Sequence, residues 1–466
     1  MNLQEAISHP LFEKLRATTR RLGLRSYVIG GYVRDHLLGR PCKDIDIVVE
    51  GRGIDLAKAF AEDIGSDGFS FFENFGTAMV MHEDFQVEFV GARKESYRRE
   101  SRKPIVEEGT LEDDQIRRDF TINALSISLN EDDYGMLGDP FGGLEDLKAG
   151  IIRTPTDPDV TFSDDPLRMM RAIRFSTQLG FFIEDKTYAS IARNKERIPI
   201  VSQERVTEEL NKIILARVPS RGFKLLFDTG LLHIIFPDFV KLHGVDFVDG
   251  RGHKDNFYHT LQVVDNVCQL SDDLWLRWAA VLHDIAKPAT KKYYPKQGWT
   301  FHGHEDMGAR WVPRIFRDLR LPLDGKMRFV QKLVKLHLRP IVLAQEIVTD
   351  SAVRRLMFEA GEDIDALMKL CRADITTRNE KKFEKHLRNF AIVEAKIIDL
   401  EERDRIRNWQ PALTGEMIME IFQLAPGPKV GQIKNAVREA ILDGIISNET
   451  EASIEFARGV IANMAR

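Results

Sequence analysis

Asp44-Ile45-Asp46, placed just after a Gly30-Gly31 turn, constrains this chain more than any other feature. The segment reads Tyr27-Val28-Ile29-Gly30-Gly31-Tyr32-Val33-Arg34-Asp35, then Lys43-Asp44-Ile45-Asp46-Ile47-Val48-Val49. An apolar strand enters two glycines, a helix follows, and a second strand carries carboxylates at alternate positions. Residues i and i+2 of a strand face the same side. Asp44 and Asp46 are therefore expected to point together, with Ile45 and Ile47 packed behind them. Two carboxylates held that close repel unless a cation lies between them, and hard Mg2+ carrying substrate phosphates suits such oxygens. An isolated Asp-x-Asp is ordinarily a solvated strand face, and the glycine turn is what gives this one another meaning. The glycines are expected to free backbone N–H groups at a helix start, where a phosphate docks. They are adjacent and no G-x-G-x-x-G follows, so this is not a dinucleotide fingerprint.

With 466 residues the chain has room for roughly three domains. A net charge of −5 excludes a uniformly basic nucleic-acid binder, so any nucleic-acid site must be a local patch. Cys42, Cys268 and Cys371 are far apart and form no C-x-x-C pair, which fits a reducing, cytoplasmic setting. The first residues, MNLQEAISHPLFEKL, lack the apolar run of a signal peptide. No stretch reaches the ~18 apolar residues of a membrane helix.

Residues 1–150 alternate helical and strand patterns, with strands expected at Ser26–Ile29, Asp46–Val49, Thr77–Met81, Gln86–Val90 and Ala124–Ser128. Glu95 to Glu112 is highly charged and reads as a mobile surface loop. Beyond about 151 helical periodicity dominates. The expected class is α+β: a head with a small mixed sheet flanked by helices, then a long all-α remainder. Breaks at Asp249–His253 and Asn408–Pro411 divide that remainder. The expected domains are 1–150, 151–245, 246–400 and 401–466.

Further chemistry is legible in the head. In Phe85–Val90 the apolar residues share one face and leave Glu88 on the other. If this strand lies beside the Asp44/Asp46 strand, three carboxylates converge on two metals ~3.5–4 Å apart. Arg117-Arg118-Asp119-Phe120-Thr121-Ile122-Asn123 offers guanidinium forks for phosphate or ribose. Ser163-Asp164-Asp165-Pro166 reads as a helix start, with Ser163 at the N-cap. Arg168, Arg171 and Arg174 follow, so that Asp165, Arg168 and Arg171 share a stripe at helical spacing. Such a pair can read a base edge. Cytosine and adenine each present an exocyclic amine beside a ring-nitrogen acceptor. Asp165 would accept from the amine and Arg168 would donate to the ring nitrogen, which selects CTP and ATP.

Gly30-Gly31-x-x-Arg34-Asp35, Asp44-x-Asp46, Arg117-Arg118-Asp119, Asp165-x-x-Arg168 and Gln203–Glu209 occur in an order that resembles the class II tRNA nucleotidyltransferase and bacterial poly(A) polymerase superfamily. The resemblance covers roughly residues 20–220. It implies a five-stranded nucleotidyltransferase head followed by helical neck, body and tail. It implies Asp44 and Asp46 as Mg2+ ligands; Glu88, from the strand pattern, is expected to assist. Around the nucleotide it implies Gly31, Arg34, Arg118, Asp165, Arg168, Arg171 and Arg174, with Gly30, Asp35, Asp119 and Asn123 as further candidates. The family pair before the arginines is usually Glu-Asp, whereas here it is Asp164-Asp165. The Arg98–Pro104 segment resembles the flexible loop with which CCA- and A-adding members switch from C to A.

A second constellation runs through His259, His283-Asp284, His302-x-His304, His337 and Asp374. In that order it resembles the HD phosphohydrolase superfamily. The resemblance implies one divalent metal on His259, His283, Asp284 and Asp374, with His304 and His337 completing a second site. Imidazole with carboxylate suits Mn, Fe, Co or Ni, and such a metal activates water against a phosphodiester. Near the end, Leu424-Ala425-Pro426-Gly427-Pro428-Lys429-Val430-Gly431 precedes a helix over Ile433–Asp443. It resembles an RNA-facing tail, with Lys429, Lys434 and Arg438 as phosphate contacts. Lys291-Lys292 and Lys381-Lys382 are further candidates for RNA contact.

These readings converge on a Mg2+-dependent enzyme that builds or repairs the 3′-CCA end of tRNA from CTP and ATP, with an HD site of its own metal. A poly(A) polymerase, or an A-only or CC-only enzyme of the same superfamily, shares the motifs. An HD phosphohydrolase with a nucleotide-binding head is the reading from another class.

Overall fold

The computed structural model describes residues 1–73, 76–98, 101–248, 250–343, 349–377, 379–404 and 410–464. The chain divides into two compact units, Met1–Pro237 and Asp238–Arg466.

Alternating apolar residues build the sheet of the first unit. Its strands are β1 (Arg25–Ile29), β2 (Asp44–Glu50), β3 (Gly68–Phe72), β4 (Thr77–His82), β5 (Phe85–Gly91), β8 (Ser126–Ser128) and β9 (Leu137–Gly138), in spatial order β3-β4-β5-β2-β1-β8-β9. Only β2 and β5 run parallel, with Asp44 opposite Gln86 and Asp46 opposite Glu88. The other neighbours are antiparallel. Helices α1 (Pro10–Arg21), α2 (Gly31–Leu37) and α3 (Gly53–Ile64) accompany it. Helix α3 buries Leu56, Ala57 and Phe60, and the Phe60 ring lies 5.7 Å from that of Phe89 on β5. Ile45, Ile47, Val87 and Phe89 are all inside. Their strand neighbours Asp44, Asp46 and Glu88 are left on the opposite face.

The sheet has two more strands than the resemblance implied. Strand β9 is only two residues long. Strand β3 is an edge strand whose Phe71 and Phe72 are exposed, so it lacks the half-buried alternation that marks a strand in sequence. The charged stretch expected as a loop is also different. Residues Arg93–Arg98 (β6) and Ser101–Glu108 (β7) pair antiparallel from Arg93 opposite Glu108 to Arg98 opposite Ser101. The stretch is rich in charged residues and its sequence lacks the apolar alternation that marks a strand. Arg99 and Glu100 fall outside the described residues.

After β7 come α4 (Leu111–Ile116), α5 (Gly143–Ala149), α6 (Pro158–Asp164) and α7 (Leu167–Leu179). Ser163 does not cap a helix, contrary to the expectation above. It lies inside α6, whose N-cap is Asp157 followed by Pro158. The chain breaks instead at Asp165, held extended at φ −133° and ψ 100°. The following Pro166 disfavours the helical conformation for the residue before it. Beyond α7 the described strands are pairs of two- or three-residue segments, and helices carry the rest.

The second unit is helical. Asp255, Asp273, Asp324, Thr349 and Thr414 accept backbone N–H bonds at the starts of five of its helices. Near its end Leu413, Ile418, Val430, Ile433, Val437, Ile441 and Ala457 form a small core. The last but one helix starts at Pro428, earlier than the sequence suggested, because proline is well suited to a first helical position. Among the described residues no helix is long and apolar enough to cross a membrane.

Replacing Phe89 with Ala should destabilise the first unit by ~3–5 kcal/mol. Urea titration followed by far-UV circular dichroism measures it as a lower midpoint for that unit's transition.

Candidate active site and metal centre

Gly30 is the geometric origin of the head site. Its φ of +78° is a conformation that residues with a Cβ rarely adopt. A Cβ there would lie 2.9 Å from Arg118 Nη1 and 3.4 Å from Asp46 Oδ2. The glycine thus lets a guanidinium and a carboxylate close over the backbone. Its N–H is not open to phosphate as expected, since it donates to the Leu125 carbonyl at 3.1 Å and ties β1 to the segment before β8. Burial pushes the Asp46 carboxyl up from its usual value; Arg118 opposes the rise, and Asp44 and Asp114 add to it. Glu88 is raised by burial and then by the Asp46 charge. Crowded carboxylates of this kind favour a cation. Asp44, Asp46 and Glu88 therefore fit a hard divalent ion.

Sequence reasoning passed over Asp114. It is fully buried on α4 and holds both neighbouring arginines, Arg117 through a short ion pair and Arg118 through Nε at 3.0 Å. Spacings of i,i+3 and i,i+4 on a helix carry the signal that finds it.

A chain of polar contacts joins α2 to α7. The Arg34 guanidinium donates to both oxygens of Asp35 at 2.9 and 2.8 Å and to Asn123 Oδ1 at 2.7 Å. The Asn123 amide donates to Asp119 Oδ1 at 3.0 Å. Asp119 Oδ2 receives Arg171 through Nε at 2.7 Å and Nη2 at 2.6 Å. Burial alone would raise the Asp119 carboxyl, but Arg171, the Asn123 amide and Arg168 outweigh it and hold it at about 2.

Three guanidinium groups surround the buried Phe175 ring: Arg174 at 3.9 Å, Arg34 at 5.0 Å and Arg171 at 5.3 Å. Arg174 pairs with the buried Glu209 at 2.6 Å. Burial lowers the Arg174 guanidinium to about 10; Glu209 resists this, while Arg171 and Arg34 contribute to it. Phe175 and Glu209 were not singled out from sequence, because neither an apolar helix residue nor one acid among several announces its partners. Asp165 does not lie on the α7 stripe with Arg168 and Arg171, as it was expected to. It precedes the helix, and its Oδ1 accepts the Leu167 N–H at 3.2 Å. Arg168 Nη2 donates to the Arg117 carbonyl at 2.6 Å, and Arg171 is committed to Asp119.

In the second unit the HD residues meet at helix ends. His283, His304 and His337 each donate Nδ1–H at 2.7 Å to the carbonyl three residues earlier: Ala280, Phe301 and Val334. That bond places a proton on Nδ1 and turns Nε2 inward. His304 Nε2 and His337 Nε2 then face each other at 3.3 Å. Asp284 Oδ1 is 3.3 Å from His304 Nε2, and Asp284 Oδ2 is 3.2 Å from His283 Nε2 and 3.4 Å from His259 Nε2. Asp374 Oδ1 lies 2.9 Å from His259 Nε2. His283 Nε2 is fully buried, with the Asp284 carboxylate as its nearest charged neighbour. Two groups of donor atoms, His259/His283/Asp284 and Asp284/His304/His337, each fall within 4.8 Å of one another. Buried imidazole and carboxylate groups converging in this way could hold divalent metal, with Asp284 common to both groups.

Burial, then the charge of His283, lowers His337 to about 3, so its ring stays neutral at ordinary pH. His302 is exposed, outside this cluster. The sequence reading did not include Lys287, 2.6 Å from Asp284 Oδ2, or Lys254 and Thr376, each 3.0 Å from His259 Nδ1. Lys287 is one turn after Asp284 and was findable; the other two come from distant segments.

A mixed sheet with neighbouring carboxylates on β2 and β5, followed by an arginine-bearing helix, is a nucleotidyltransferase head joined to a helical remainder. Family models agree: "Poly A polymerase head domain" matches residues 26–153, "Probable RNA and SrmB-binding site of polymerase A" matches 180–242, and "HD domain" matches 256–379. The chain is 31% identical over 437 residues to the A-adding tRNA nucleotidyltransferase of Deinococcus radiodurans, covering 91% of this chain and 93% of that one. It is 34% identical over 352 residues to the multifunctional CCA protein of Chromobacterium violaceum, covering 73% and 79%. Its fold matches the Bacillus stearothermophilus CCA-adding enzyme in complex with CTP, with a TM-score of 0.66 and 24% identity over 98% of this chain and 99% of that one. The chain belongs to the tRNA nucleotidyltransferase and poly(A) polymerase family.

Two predictions follow from these geometries. Asp119 is held at about 2 against ~3.9 unfolded, so it contributes roughly 2 kcal/mol above pH ~4, lost as pH falls towards the folded value. Asp119→Asn should therefore be less stable than the parent at pH 7, with the gap closing below pH ~4 in paired denaturation curves. After equilibration with Mn2+ or Ni2+ and gel filtration, His337→Ala should retain less metal than the parent by elemental analysis. Asp46→Ala should retain as much in the helical unit.

Proposed function

We propose that this enzyme builds and repairs the 3′-CCA end of tRNA, taking CTP and ATP as substrates. The observation that carries this reading is the register of β2 and β5, which sets Asp46 beside Glu88 with Asp44 two residues away. The same unit supplies three guanidinium groups round Phe175. The tRNA 3′-hydroxyl oxygen attacks the α-phosphorus in line, a new phosphodiester bond forms, and the bond to pyrophosphate breaks. Asp44 and Asp46, with help from Glu88, would hold Mg2+, which when bound polarises the phosphoryl oxygens. Arg34, Arg171 and Arg174 offset the triphosphate charge, and an anion among them relieves their mutual repulsion. Arg118 joins them next to Asp46. Asp165 and Arg168 read the base edge by polarity. The Leu167 N–H bond fixes the orientation of the Asp165 carboxylate at the foot of α7.

The HD centre would bind Mn, Fe, Co or Ni through His259, His283, Asp284, His304, His337 and Asp374 and serve phosphoester hydrolysis independently. In this division of labour residues 1–150 catalyse, 151–245 recognise the base, 246–400 hold the second metal site and 401–466 contact tRNA. Lys429 and Lys434 are the tail's phosphate contacts; Arg438 is already paired with Glu439 at 2.8 Å. Free thiols at Cys42, Cys268 and Cys371 support a cytoplasmic location.

Addition of A alone is the second reading, favoured by the A-adding Deinococcus relative that spans 91% of this chain. Incubation of a tRNA ending before CCA with CTP, ATP or both separates the two. Ordered C, C, A incorporation is expected. Extension of only a CC-ended acceptor, by one A, selects the second reading, and long A tails refute both. Asp46→Ala should abolish incorporation, a loss of at least ~1000-fold for a metal ligand in this class of chemistry. His283→Ala should leave incorporation within about twofold of the parent, since its ligand cluster serves the other centre. A parallel loss in the His283 variant, with its fold intact, would contradict independent sites.

A further inference from the structure

Helix α7 ends at Gly180, in the left-handed conformation, and the chain turns at once into a two-residue strand, Phe182–Ile183. Phe182 is 73% exposed, the highest value among the exposed large hydrophobic residues. Its backbone is pinned: its N–H donates to the Gly150 carbonyl at 2.8 Å, and it pairs in register with Ile151. The Arg221 guanidinium lies 5.1 Å from the ring centroid. That guanidinium is itself fixed, donating to the carbonyls of Gly180 at 3.0 Å and Phe181 at 2.6 Å. Closing the end of α7 accounts for Arg221 as a structural residue. It does not account for a phenyl ring presented to water above it.

An exposed ring backed by an immobilised cation has the features of a surface for stacking an unpaired base. Aromatic faces and guanidinium planes are the usual partners of splayed-out bases in single-stranded RNA. An ordered ring has little conformational freedom left to lose on binding. Its position is apt. Arg168 and Phe182 are at opposite ends of α7, about 16 Å apart by helical rise. A stacked strand advances ~3.4 Å per nucleotide, so that span is about five nucleotides. Lys224, exposed one turn beyond Arg221 on the helix Pro219–Asp228, is placed for a phosphate of the same strand. All of these residues from Phe182 onward lie within the 180–242 match.

We propose that Phe182, backed by Arg221, stacks an unpaired base of the substrate RNA a few nucleotides from the end that reacts at the foot of α7. This rests on the tRNA reading above and assigns the strand a second point of attachment, remote from the chemistry.

The test uses the full chain with Phe182→Trp, Phe182→Ala and Phe182→Tyr. Emission from Phe182→Trp, taken as the difference from the parent, should be quenched by tRNA lacking CCA and not by CTP or ATP alone. Phe182→Ala should raise the Kd and KM for tRNA about five- to tenfold, at the low end of a base–aromatic stack. Its KM for CTP and its kcat at saturating tRNA should match the parent, and Phe182→Tyr should restore tRNA affinity. Parent-like tRNA affinity in Phe182→Ala, or tryptophan emission indifferent to tRNA, overturns the proposal. So does quenching by free nucleotide at the same concentration. If the parent neither binds nor extends tRNA but a single-stranded oligonucleotide still quenches Phe182→Trp, the tRNA reading falls and the stacking platform stands. If neither RNA quenches, the platform falls.

Discussion

A single buried carboxylate holds the head together as a site. Asp119 receives the Asn123 amide from one side and the Arg171 guanidinium from the other. Through Asn123 it reaches Arg34 on α2, and through Arg171 it fixes α7. Removing one member of such a pair leaves the other charged and buried, which ordinarily costs about 3–5 kcal/mol. The network therefore specifies one arrangement of sheet and helix. Asp35, Asp119 and Glu209 pair with the three arginines round Phe175 and hold them close together. Donors held this way are oriented before a ligand arrives.

The second metal centre uses a different device. Local turns aim its histidines: each of three rings is locked by a carbonyl three residues back, so that Nε2 faces inward. Asp284 closes the cluster from the same helix end as His283, and Asp374 from another. The head offers oxygen atoms alone, the donors a hard ion prefers, and this cluster offers nitrogen and oxygen, the donors a borderline ion prefers.

Much of this was readable from local pattern. Alternation put Asp44 and Asp46 on one face of β2 and set Glu88 apart from the apolar face of β5; the pairing of the two strands then brought the three together. The helical spacing of Arg168, Arg171 and Arg174 likewise placed them on α7. Three misreadings have physical causes. The hairpin of β6 and β7 is charged, so it lacked the apolar period that signals a strand. Ser163 looked like a cap because cap preference ignores the competing Asp157-Pro158 start six residues earlier. Gly30 looked like a donor, but its N–H is spent on the carbonyl of Leu125, a residue far away in sequence.

The sequence by itself determined the chemistry available in the head: which strands carry carboxylates and which helix carries arginines. Those follow from periods of two and 3.6, which are properties of a few consecutive residues. The histidines of the second unit came instead from an order of motifs that resembles the HD superfamily. Tertiary structure alone decided that β2 and β5 are neighbours in parallel register and that Glu209 faces Arg174. Lys254 and Thr376, 122 residues apart, likewise meet at His259 only in the folded chain. Pairings of this kind are set by how buried charges find partners once water is excluded, and that condition exists only after the core has closed.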